Sequence, residues 1–284
     1  KSEAACLEFL QSFVSAHALR RFLHSVSQDA SDAPHELYAM LKAIPGDHLK
    51  TLVEVLATEQ GEASRRVARR LIEMYVGERG DEVVSYILGA SDHLACELLR
   101  VLRHTDLDRT LAAAKGLVHR GDHTVQLAVL AAIEAMADGP DPVRILLQLG
   151  MSGAEDVRPK ALAVLAARRS TDALAPLLTK LKREASGRLT NTEAEAIGVT
   201  LIAIDTNFAL PAFREWCRPR GLLAGVLPGH AKLQRAAVAG LAGLPGDEAE
   251  ALIRAVSDKA GSELQEYCTQ VMVRRRRLLR GGRT

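Results

Sequence analysis

The chain is 284 residues long, 48% hydrophobic, 25% charged and only 4% aromatic. That length exceeds what one ordinary core needs, so it implies either two compact domains or an extended architecture built from repeats. The formal net charge is +2, but Arg274 to Arg277, Arg280 and Arg283 fall in the last eleven residues and the rest carries 31 basic against 35 acidic groups, a balance that excludes general attraction to phosphate backbones over the whole surface.

Residues 1–33 are expected to form an N-terminal helical cap. An amphipathic pair follows at about 34–44 and 48–59, with Asp47 placed to cap the second helix. From there one helical pattern recurs seven times: an anchor, a usually small residue four later, and aliphatics seven and eight later. The anchors are Ser64, Leu94, Val125, Val157, Ala194, Leu233 and Leu264, separated by 30, 31, 32, 37, 39 and 31 residues. Offsets 0, 4, 7 and 8 share one face of a 3.6-residue helix. The predicted shared core is therefore Ala68, Leu98, Val129, Ala161, Gly198, Ala237 and Cys268 in one column, and Ile72, Leu102, Ile133, Leu165, Ile202, Leu241 and Met272 in the other.

Shorter amphipathic helices are predicted between these at about 81–90, 107–119, 141–150, 171–184, 206–217 and 247–260. Asp92, Asp122, Asp141 and Asp247 suit N-caps, Thr190 with Glu193 and Ser262 with Gln265 suit capping boxes, and Gly61, Gly80, Gly121 and Gly261 punctuate turns. The two long intervals hold a polar, flexible loop near 184–193 and an apolar stretch at 217–230, where Leu222, Leu223, Val226 and Leu227 either fold back as a short helix or mark a contact. No segment alternates with period two over strand length, so essentially no sheet is expected.

The stretch Glu155-Asp156-Val157-Arg158, followed by Ala161, Val164 and Leu165, resembles the second-helix motif of the HEAT-repeat family. Arg65 partly echoes Arg158, and Pro176 and Pro211 match the family's first-helix proline; the likeness covers roughly residues 60–280. The resemblance implies an all-α fold, an α-solenoid of tandem antiparallel helix pairs forming one continuous domain over 34–284. It also implies a curved right-handed superhelix with the second helices on its inner face. A helix pair cannot bury its own apolar face, so neighbours must cover it. Most functions of such architectures are partner binding, yet the fold itself names no task.

Offsets 2, 6 and 9 oppose the core and should be polar in a lone amphipathic helix. They begin basic, with Arg66 and Arg70, then Arg100 and Arg103. They then become small and apolar: Leu127, Ala131 and Glu134; Pro159, Ala163 and Ala166; Ala196, Thr200 and Ala203. These thirteen residues are the expected contacts for a protein partner, a helix or extended segment seated in a groove, with the arginines steering an acidic portion of it. The competing reading is that tight curvature, or cover by segment 2–27, buries the same small residues. The alternative function is nucleic-acid binding through the arginine-rich first repeats and the C-terminal tail. Against it, Arg65, Arg66, Arg69 and Arg70 read as a solvated face paired to Glu62, Glu73 and Glu78, and Arg274 to Arg277 as a solubilising helix end.

No phosphate loop, Rossmann glycine pattern, HExxH, GxSxG or paired CxxC occurs, so neither catalysis nor a cofactor nor a small-molecule substrate is expected. His119, Asp122 and His123 are the nearest thing to a metal cluster, but they straddle a turn where Asp122 is wanted as an N-cap. HEAT-like hydroxylases use repeated His-Glu dipeptides, and this chain has only His35-Glu36. HEAT-like DNA glycosylases use aromatic and acidic residues in a basic cleft, whereas Trp216 reads as a packing residue rimmed by Arg214, Arg218 and Arg220. Cys6, Cys96, Cys217 and Cys268 are scattered, which suits reduced thiols and a cytoplasmic location. No apolar run reaches the roughly 18 residues of a membrane span, and Glu8, Arg20 and Arg21 interrupt the N-terminal pattern, so neither a span nor a signal peptide is expected.

Overall fold

A computed structural model describes residues 21, 33–43, 47–218 and 229–281; the apolar stretch at 219–228, Cys6 and most of the expected N-terminal cap lie outside them. Among the described residues the chain is helical with no strand. It divides into two compact units, Lys1–Met136 and Ala137–Thr284. The first contains α1 (Ala33–Ala43), α2 (His48–Thr58), α3 (Glu62–Gly89), α4 (Asp92–Thr105), α5 (Leu107–Leu117) and α6 (His123–Glu134). The second contains α7 (Pro140–Ser152), α8 (Val157–Ala167), a 3-10 turn (Thr171–Ala173), α9 (Leu174–Glu184), α10 (Asn191–Ile204), α11 (Thr206–Cys217), α12 (His230–Leu241), α13 (Asp247–Ser257) and α14 (Ser262–Gly281).

Short polar side chains start several of these helices. Asp47, Asp106, Asp122 and Asp205 accept from backbone N–H groups in the first turns of α2, α5, α6 and α11, and Thr190 with Glu193 forms a reciprocal capping box on α10. Such a cap contributes about 1 kcal/mol by satisfying an N–H that the helix leaves without a partner. Asp92, Asp141 and Asp247 are not caps; they stand inside the first turn, behind Ser91, Gly139 and Gly246. Ser262 likewise already belongs to α14.

The turn expected at Gly80 is a bend within one 28-residue helix, α3, whose only non-helical residue is Arg79 at φ −125°, ψ 28°. Gly80 makes room there for Arg109, since an added Cβ would lie 2.4 Å from its Cδ. The Arg109 guanidinium donates to Val76 O, just before the bend, and to the carboxylates of Asp81 and Asp106.

The repeated columns form the core of each unit. Every residue in the column four past the anchor is buried, and in the column eight past only Met272 is half-exposed. In the first unit α3 packs on α4 and α4 on α6; in the second α8 packs on α10, α10 on α12 and α12 on α14. Within each unit successive second helices thus pack on one another, while α5, α11 and α13 pack against neighbouring pairs of them and α9 against α10.

A second device joins positions about one repeat apart in the chain. The last carbonyls of a helix lack intrahelical donors and carry partial negative charge, and a basic side chain from later in the chain closes them. Arg120 donates to Leu88 O (2.6 Å) and Ala90 O (3.0 Å) at the end of α3, and Lys180 donates to Met151 O (2.7 Å) at the end of α7. Arg275, only 2% exposed, donates to the carbonyls of Leu241, Leu244 and Gly246 at the end of α12. The solubilising role expected of the arginine run therefore fails for Arg275, whose guanidinium turns inward; Arg274, Arg276 and Arg277 are exposed.

Helices α10 and α12 meet backbone to backbone. A Cβ on Gly198 would stand 2.0 Å from Ala236 O, and one on Gly240 would stand 2.7 Å from Gly198 O. Nor is the connection at 185–190 a loose loop: Ala185 and Leu189 are buried, and Lys232 Nζ donates to Gly187 O. Gly229, with φ at +84°, lies so close that a Cβ there would be 2.4 Å from Ser186 N.

Cys96, Cys217 and Cys268 are buried and free. Burial pushes the thiols of Cys217 and Cys268 up to about 12 and about 11, and raises that of Cys96, so all three stay protonated at neutral pH. A thiol-exchange reagent at pH 7.5 is expected to label them only as denaturant unfolds the chain; rapid native labelling at any of the three, located by peptide mapping, contradicts this.

Candidate functional site

Two surfaces hold residues singled out from the sequence. In the first unit, Arg65, Arg66, Arg69 and Arg70 on α3 stand beside Arg100 and Arg103 on α4. They divide into two sets around Glu97, a carboxylate with an 8% exposed side chain. Arg65 Nη2 and Arg69 Nε each lie 3.5 Å from Glu97 Oε2, and Arg100 Nη1 lies 2.9 Å from Oε1. A buried carboxylate is retained only with such partners. Arg69 also pairs with Glu62 and Arg70 with Glu73, but Glu78 turns away to Lys42 on α1. Arg66, Arg70 and Arg100 face solvent, the last two with side chains 60% exposed. Arg103 is half-buried, and neither it nor Arg66 has an ion-pair partner among the described residues. On α6, Leu127 and Ala131 are half-buried and Glu134 is exposed.

In the second unit an open groove of ≈ 720 Å³ runs along α10, α12 and α14. Ala196, Val199 and Ala203 line it from α10, Ala239 from α12, Ala242 and Leu244 from the turn after it, and Tyr267, Val271 and Arg274 from α14. Val199 is 49% exposed. Beside the groove Arg235 bridges Glu195 on α10 and Glu263 on α14 and stacks on the Tyr267 ring, 4.1 Å from its centroid. Burial, reinforced by the Glu195 carboxylate, raises the Tyr267 phenol well above its usual range, so it remains a neutral donor. Arg158 makes a comparable rung from α8 to Glu193 on α10. Burial alone would raise the Glu193 carboxyl, but the Thr190 N–H and hydroxyl and the Arg158 charge hold it below the ordinary range.

Of the residues expected to face a partner, the groove brings together Ala196 and Ala203. Thr200 is a correction: it is 3% exposed and its hydroxyl donates to Ala196 O at 2.8 Å. At about 100° per residue it stands roughly 240° round from the anchor Ala194, on a flank that neighbouring helices close. Val199, roughly 140° round, takes the outward place and was not anticipated. Pro159 and Ala163 are exposed and Ala166 half-buried on α8, outside the groove; Pro159 borders a smaller cleft of ≈ 180 Å³ with Arg158 and Glu193. Trp216 is buried against Phe213, with ring centroids 5.4 Å apart, as a packing residue should be.

Among the described residues no group of three or more His, Cys, Asp or Glu side chains is placed to hold a metal ion, and the Asp122 carboxylate accepts from Val125 N–H. No described helix is long and apolar enough to cross a membrane. The sequence matches no protein-family model and no curated protein.

Proposed function

We propose that the chain is a HEAT-like solenoid, a right-handed stack of helix pairs, acting as a non-catalytic cytoplasmic scaffold that binds a segment of a partner protein. The observation that carries this reading is the apolar groove of the second unit, where Val199 stands open between the alanines of α10 and the α14 stripe Tyr267, Val271 and Arg274. Small side chains along α10 and α12 let a helix or extended chain come close, while apolar positions at i, i+3 or i+4, and i+7 of such a segment would fill the floor. Arg274 is exposed and without an ion-pair partner among the described residues, which suits an acidic group on the occupant.

Peptide display on the full chain should select amphipathic sequences that combine apolar anchors with acidic residues. Burying a valine contributes about 1.5–3 kcal/mol, so Val199→Glu is expected to weaken the selected peptides at least roughly tenfold. Ala203→Glu should do the same, and both variants should unfold at the wild-type temperature because the positions are exposed. Selected peptides that bind both variants as well as wild type refute the groove. Nucleic-acid binding is the competing reading, favoured by the exposed Arg66, Arg100, Arg276 and Arg277; it requires tight binding that weakens steeply with salt.

A further inference from the structure

The groove of the second unit does not account for the arginine face that α3 and α4 form in the first. Arg66 and Arg70 are four residues apart on α3, about 6 Å along the helix. Arg100 and Arg103 lie on the adjoining α4, where packed axes are about 8–10 Å apart. Six arginines in this cluster face three carboxylates, those of Glu62, Glu73 and Glu97. Glu97 draws Arg65 and Arg69 inward and tethers Arg100, so the uncompensated charge is held above all on the exposed Arg66 and the half-buried Arg103.

We infer that this face is a second docking surface, and that its ligand is a short acidic peptide segment. Two features of the unit select that chemistry. First, the excess is small and local: Lys1–Met136 as a whole carries 15 Lys and Arg against 19 Asp and Glu, so its total charge offers a long polyanion no net attraction beyond the patch. A short segment stays within about 8 Å of the arginines, the screening length at physiological salt. Second, guanidinium forks match carboxylates in a two-point geometry, and about three uncompensated cations would neutralise only about three phosphates, too few for stable nucleic-acid binding.

The test uses the full chain and two fluorescent probes, a tetraglutamate peptide and a single-stranded oligothymidylate, followed by anisotropy. The peptide is expected to bind at about 50 mM salt and to weaken roughly tenfold by about 200 mM. Arg66→Glu combined with Arg70→Glu should abolish its binding. The charge-matched control, Arg144→Glu with Arg183→Glu at side chains 80% exposed in the other unit, should retain it. If the double reversal perturbs folding by circular dichroism, Arg66→Gln with Arg70→Gln carries the same expectation with a smaller loss. The inference is overturned if the peptide does not bind at low salt, or if the arginine variants bind it like wild type. It is also overturned if the oligothymidylate binds more tightly and is lost in those same variants, which would assign the face to nucleic acid.

Discussion

Replacing Gly198 by alanine is expected to destabilise the second unit by about 2–3 kcal/mol, although alanine is the better helix former. Intrinsic propensity favours the substitution by about 1 kcal/mol. Against it, the new methyl would stand 2.0 Å from Ala236 O, a backbone atom that no rotamer change can move. Overpacking of a tight contact costs about 1–3 kcal/mol and more when the backbone must shift, and here α10 and α12 have to separate. Gly77 is the internal control, because a Cβ at that exposed position of α3 meets nothing within 4 Å. Gly77→Ala should therefore stabilise by up to about 1 kcal/mol. Urea unfolding followed by far-UV circular dichroism should place the two midpoints on opposite sides of wild type; a Gly198→Ala midpoint at or above wild type contradicts the backbone contact.

Arg275→Ala is the second large effect. The guanidinium is buried with no carboxylate among its hydrogen-bond partners; it donates to the carbonyls of Leu241, Ala242, Leu244 and Gly246. Alanine leaves those acceptors under-satisfied where water has little access and opens a void beside them. Losing charged hydrogen bonds of this kind costs about 3 kcal/mol. Arg275→Lys should recover only part, because one ammonium cannot reach carbonyls spread over six residues as a planar fork does. Arg274→Ala and Arg276→Ala, at exposed positions, should stay within about 0.5 kcal/mol of wild type. Equal losses at positions 274, 275 and 276 in the same urea series would contradict the buried cap.

The repeat was readable because burial imposes a period that a single sequence records. Ala68, Leu98, Val129, Ala161, Gly198, Ala237 and Cys268 fall in one column, and all are buried. Capping was partly readable for the same local reason: Asp47, Asp122 and Thr190 act within four residues of themselves. Features decided by a distant segment were not. Gly80 looks like a turn residue until Arg109, 29 positions later, is seen to occupy the space beside it. Arg275 looks like part of a solvated run until the end of α12 is placed against it. Glu97 could have been suspected, as a lone acid within the apolar run from Leu94 to Leu99, but its three arginine partners could not. Thr200 and Val199 exchanged roles because one helical position, about 100° of rotation, decides which side chain faces outward. The apolar groove was foreshadowed by Ala196 and Ala203, while its wall from α14 required the packing of that helix on α12.

The central claim is that a partner segment seats between α10, α12 and α14, and amide hydrogen exchange with a display-selected peptide tests it most directly. Added protection confined to residues 191–204, 230–241 and 262–277, absent in Val199→Glu, is the predicted result. Protection that is unchanged there, or that appears only on helices of the first unit, contradicts it.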